Sequence, residues 1–171
     1  TLVLLIVSGI GLLTGYTYRV LEPLLAWTTH RALGIAFLGS VSVHVIVLLF
    51  DKFAPFNLFQ LLIPFVSGYQ PATLWGLHVG SLWVAMGILA LYGVIAVVVS
   101  SLIWIDKKPY TWRTLHYLSY VVMIFTFLHG LFLGTDLKGG TYRVLWFMSG
   151  MVVLVTVGLR LWRAMTISGG K

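Results

Sequence analysis

Four of the five histidines in this 171-residue chain stand inside runs apolar enough to cross a membrane. His30 and His44 lie in WTTHRALGIAFLGSVSVHVIVLLFD, and His116 and His129 in WRTLHYLSYVVMIFTFLHGLFLGTD. An imidazole is costly in hydrocarbon unless it faces a bundle interior, lines a polar path or binds a metal. Neutral imidazole ligates metals through either ring nitrogen, and it relays protons near neutral pH. Hydrogen bonding to a neighbouring helix explains a lone histidine well enough. Two similar pairs ask for more.

The chain that must position them is 60% hydrophobic and 9% charged, with a mean hydropathy of +1.01. A soluble domain needs more polar surface than this, and the apolar runs approach the ~20 residues that span a bilayer as helix. No alternating ~10-residue barrel segments are visible. The expected fold class is therefore all-α, a polytopic transmembrane helix bundle forming a single domain over residues 1–171. Five spans are read, at about 2–18, 27–50, 73–104, 112–134 and 142–162. The stretch 51–72 is apolar but broken by Pro55, Pro64 and Pro71, so it reads as an external loop with an interfacial segment. The chain opens at Thr1 on an apolar run with no charged n-region, which reads as a helix rather than a signal peptide, and an N-terminal piece is expected to precede it.

The net charge of +7 sits between and beyond the spans, so it sets topology rather than marking a nucleic-acid partner. Arg19, Arg31, Lys107, Lys108, Arg113, Arg160, Arg163 and Lys171 gather on one face, and Lys52, Lys138 and Arg143 on the other. Eight against three places the first face, and the C-terminus, in the cytoplasm. With no cysteine, this chain holds no iron–sulfur cluster, c-type haem attachment or disulfide.

Within each pair the histidines are fourteen and thirteen residues apart, or about 21 and 20 Å along a helix. One therefore sits near each side of a ~30 Å core. One span separates the two helices, so they run parallel. His30 and His116 share the cytoplasmic level, and His44 and His129 the external one. Two imidazoles facing each other across a gap suit a bis-histidine haem between helices. Structural zinc would want four ligands, and copper has no thioether cluster here. Gly34, Ser40 and Gly130 are small residues that would permit close approach. Fourteen steps of ~100° return to within about 40° of the start, but thirteen miss by about 140°. The His116–His129 helix must carry an irregularity such as a π-bulge, or its ligands approach from different sides.

HRALG with a second histidine fourteen residues on, and WRTLHYLSY with one thirteen on, resembles the ferric reductase-like transmembrane domain of ferric reductases and NADPH oxidases. The resemblance covers about Trp27 to Gly134. It is also similar to small bacterial members that stand alone as cytochrome b subunits, which implies a bacterial plasma membrane. It implies two b-type haems stacked between the second and fourth spans. His30 and His116 would ligate the cytoplasmic-side haem, and His44 and His129 the external one. Electrons would then cross the membrane, with no catalytic side chain of its own. Family members commonly have six spans, so one N-terminal helix is expected to be missing from the five read here. No glycine-rich dinucleotide fingerprint appears. The donor is thus expected to be a separate flavoprotein, a quinone or a further domain, and the acceptor an external protein or small molecule, within a complex.

Arg31 and Arg113 lie near the cytoplasmic histidine level and suit haem propionates, although positive-inside topology explains them equally. Arg143 and Lys138 could do the same outside. His78 would bond an external propionate or an acceptor, or stand as an ordinary interfacial histidine. Trp75, Trp112, Trp146 and Trp162 read as an aromatic belt. Trp83, deeper in its span, reads first as packing and second as a neighbour of a haem edge. Two other classes compete: a proton or ion transporter using the histidines as a relay, and a structural membrane subunit. The first lacks membrane-embedded acids, and the second leaves the histidine pairs unexplained.

Overall fold

The computed structural model describes residues 1–52, 55–69, 73–74, 77–78 and 80–168, without the side chains of 73, 74, 77, 78, 167 and 168. Trp75, Pro71 and Lys171 lie outside the described residues. Among the described residues the regular structure is all-helical apart from one two-residue β pair. Lipid offers no hydrogen-bond partner to the backbone, so each spanning segment must satisfy its amides internally, as a helix does. Among the described residues, four segments are long and apolar enough to cross a membrane. These are α2 (Pro23–Leu49), α4 (Gly80–Ile103), the run Pro109–Leu133 made of α5 (Pro109–His116) and α6 (Leu118–Leu133), and α7 (Gly140–Ser168). A shorter apolar helix, α1 (Leu2–Thr14), precedes them. The protein is an integral membrane protein.

Local chemistry sets the helix ends. α1 stops at Gly15, whose left-handed φ of 75° lets its amide bond the Leu12 carbonyl. The expected extension to Tyr18 is instead a separate 3-10 turn, Thr17–Arg19. In the 51–72 stretch, α3 (Leu58–Leu62) opens with a reciprocal cap between Asn57 and Gln60. The Tyr92 hydroxyl donates to the Leu62 carbonyl and ties α3 to α4.

The third span was expected from about Thr73. The helix begins at Gly80, because β1 (Thr73–Leu74) and β2 (Leu77–His78) pair antiparallel ahead of it. Hydropathy does not distinguish a short apolar hairpin from a helix start. The expected irregularity between His116 and His129 lies at Tyr117, where α5 gives way to α6. It is not a π-bulge. The Tyr120 amide bonds the Tyr117 carbonyl at 3.2 Å, an i→i+3 contact. Each residue tightened in this way advances the helix by about 20° more than an α residue does, which reduces the angular mismatch.

The chain divides into two compact units, Thr1–Phe37 with Val144–Lys171, and Leu38–Arg143. In the second, α4 is the spine, burying Trp83, Val84, Ala85, Ile88, Ala90, Leu91, Gly93 and Val94. α6 runs antiparallel along it. Trp83 stacks on Phe132 with ring centres 4.0 Å apart, and a Cβ at Gly93 would collide with Val122. In the first unit, Ile6, Ile10 and Ala26 are buried, and α1 meets α2 where Ser8 and Gly9 lie against His30. Arg163 on α7 donates to the Tyr16 hydroxyl at 2.9 Å, and its guanidinium lies 4.6 Å from the ring centre.

Candidate metal centre

His129 is the most closely held of the four histidines. Its Nδ1 lies 2.8 Å from the main-chain oxygen of Trp83 on α4. A carbonyl oxygen only accepts, so Nδ1 carries the proton and Nε2 carries the lone pair. The ring fits against α4 because residue 87 is glycine: a Cβ there would sit 2.5 Å from both Cε1 and Nδ1.

His44, from the C-terminal part of α2, meets His129 within the same unit. The ring centres are 6.3 Å apart and the planes cross at 85°. Two nitrogen–metal bonds of about 2 Å laid end to end separate the ligating nitrogens by about 4 Å, and each ring centre lies one ring radius farther out. A 6.3 Å separation accommodates that arrangement. Among the described residues no three His, Cys, Asp or Glu side chains gather as a metal cluster. A two-histidine donor set matches haem iron, whose macrocycle supplies the equatorial donors. Trp83 adds a second sign of fit. Its indole Nε1 is buried with no hydrogen-bond partner among the described residues. A buried donor is normally satisfied, and a bound group with an acceptor at this point would satisfy it. The residues present fit haem.

His116 and His30 each meet a serine. His116 Nδ1 lies 3.3 Å from Ser101 Oγ on α4, and the Trp112 indole donates to the same oxygen at 3.0 Å. α4 thus supports both histidines of the α5–α6 segment, Ser101 near its C-terminal end and Trp83 near its N-terminal end. In the first unit, His30 Nδ1 lies 2.9 Å from Ser8 Oγ on α1. A Cβ at Gly9 would sit 2.9 Å from its Cε1. The pairing of His30 with His116 rests on the sequence alone. Arg31 follows His30 directly and Arg113 precedes His116 by three residues; both are exposed. His78 stands in β2, and its side chain lies outside the described residues.

Sequence reasoning missed Ser8, Gly9, Gly87, Ser101 and the Trp83 carbonyl. At Gly34, expected to leave room for haem, a Cβ would meet Leu5 Cδ1 at an ordinary 3.9 Å. Trp112, read as belt, is a hydrogen-bond donor beside His116.

The family model described as ferric reductase like transmembrane component matches residues 1–127. This chain belongs to that family. The matched range includes His30, His44 and His116 and stops two residues short of His129. The ferric reductase-like chain is accordingly a membrane electron-transfer domain, of a kind that typically binds haem. No curated protein and no solved structure matches it.

Proposed function

We propose that this ferric reductase-like chain is a di-haem b-type cytochrome that carries electrons across the membrane between a cytoplasmic or quinone donor and an external acceptor. The observation that carries the reading is the His44–His129 pair, with ring centres 6.3 Å apart and the His129 proton fixed on Nδ1 by the Trp83 carbonyl. His44 and His129 hold the external-side haem, and His30 and His116 the cytoplasmic-side haem. Haem, when bound, supplies one-electron redox chemistry that no side chain here provides. The polypeptide holds the His129 proton on Nδ1 through the Trp83 carbonyl and carries the ligands on apolar helices. Arg31 and Arg113 neutralise propionates on the cytoplasmic side, where the excess of positive charge also puts the C-terminus. The donor and acceptor are separate partners or domains.

The test is a reduced-minus-oxidised optical spectrum of the purified protein, with haem quantified per chain. Two b-type haems are expected, with His44→Ala and His129→Ala each losing the same one. Protein produced with ample haem supply yet containing none would overturn the reading and favour a proton relay or a structural subunit.

A further inference from the structure

The two serines beside His30 and His116 share one arrangement. Ser8 Oγ donates to the Leu5 carbonyl at 2.9 Å while lying 2.9 Å from His30 Nδ1. Ser101 Oγ donates to the Val97 carbonyl at 2.7 Å while lying 3.3 Å from His116 Nδ1. A hydroxyl has one hydrogen and two acceptor lone pairs. The main-chain oxygen cannot donate, so the short Oγ–carbonyl contact takes the hydroxyl hydrogen. The opposite assignment would leave two oxygens in contact with no hydrogen between them. Each serine must therefore accept from its histidine, and Nδ1 must carry the proton. At Ser101 the second lone pair takes the Trp112 indole N–H at 3.0 Å, so the hydroxyl is saturated.

We propose that Ser8 and Ser101 are positioning residues that lock His30 and His116 with Nε2 as the ligating nitrogen, and that they set the donor strength of the cytoplasmic-side haem ligands. This rests on the di-haem reading above. An acceptor on the far ring nitrogen makes imidazole a more electron-rich ligand, which favours ferric over ferrous iron. The external side has the same device in another material, since His129 is held by the Trp83 main chain. Side-chain substitution can therefore remove the Ser8 or Ser101 hydroxyl from its histidine, with the Leu5 main chain still bonded to His30, whereas no side-chain substitution at residue 83 removes the carbonyl that holds His129.

The experiment is a potentiometric titration of the purified holoprotein, following both haems optically. The two redox waves are first assigned with His44→Ala, which keeps only the cytoplasmic-side wave. Ser8→Ala and Ser101→Ala are each expected to raise the midpoint of that wave, or to lose that haem, leaving the other unmoved. Ser8→Thr and Ser101→Thr, which keep a hydroxyl, are expected to restore the midpoint. This rescue separates loss of the acceptor from a folding defect. Two haems with both midpoints unchanged in the alanine variants would overturn the proposal, as would a shift confined to the external wave. If the serine variants moved different waves, the tuning would stand and the pairing of His30 with His116 would fall. Absence of haem from the unsubstituted protein would instead overturn the di-haem reading itself.

Discussion

Gly87 lies directly against the ring of His129, so close that a Cβ would come within 2.5 Å of both Cε1 and Nδ1. The ring cannot retreat without leaving the Trp83 carbonyl that fixes its proton. Gly87→Ala is expected to fold, because alanine favours a helix interior over glycine, and to lose affinity for the external-side haem by about 10–100-fold. Haem quantified per chain would fall from two towards one, and the spectrum of the remaining haem would be unchanged. Full haem content in Gly87→Ala would show that His129 has room the geometry denies it.

Trp83 offers its indole Nε1 with no partner among the described residues. Trp83→Phe keeps the stack on Phe132 and the main-chain bond to His129 but removes the donor. In holoprotein the variant should release external-side haem more readily, by the equivalent of about 1–3 kcal/mol for a lost buried hydrogen bond. In apoprotein the same change should be neutral or stabilising, because an unsatisfied donor disappears. Thermal unfolding with and without haem reads both signs, and equal destabilisation in the two forms would contradict this view of Nε1.

Gly93 lets α4 and α6 approach where Val122 crosses it. Gly93→Leu should wedge the two helices apart, at a cost of about 1–3 kcal/mol for overpacking. Both bonds from α4 into the histidine segment should suffer together, Trp83 to His129 and Ser101 to His116. Gly93→Ala combined with Val122→Ala should recover most of the haem that Gly93→Ala alone loses. Strict additivity of the two substitutions would argue against the contact.

Tyr16 is gripped by two arginines, with Arg19 at 4.9 Å and Arg163 at 4.6 Å from its ring centre. Tyr16→Phe keeps both stacks and loses the 2.9 Å bond from Arg163, which should cost about 0.5–1.5 kcal/mol. Arg163→Ala loses the bond and one stack, so it should unfold at the lower temperature of the two. Neither should alter the spectrum of the haem proposed for His44 and His129, which belong to the other unit.

The four histidines, their helices and the membrane class were legible because each depends on residue type and spacing. So was the choice between an irregularity from His116 to His129 and ligands on different sides, since thirteen residues do not close on an α-helical period. The kind of irregularity was not, because the tightened turn at Tyr117 leaves no composition signal in LHYLSY. Hydropathy likewise ran the third span back to Thr73, through residues that pair as strands. The supports of the histidines were hidden for another reason. Ser8 and Gly9 precede His30 by more than twenty residues, and Gly87 precedes His129 by more than forty. Their roles exist only once the helices are side by side. SGIG and MGIL carried the small residues in plain view, but nothing local ranked them above Gly34.

The bond from His129 to the oxygen of residue 83 has a consequence for inheritance. Every amino acid carries that oxygen, so no codon change at position 83 can delete the acceptor. Drift there can alter the indole and its neighbours while the ligand keeps its proton in place. Positions 8 and 101 have no such immunity, because a single missense change removes their hydroxyls. Under the di-haem proposal, divergent descendants of this sequence should differ in electrochemistry first where a ligand histidine meets a serine hydroxyl.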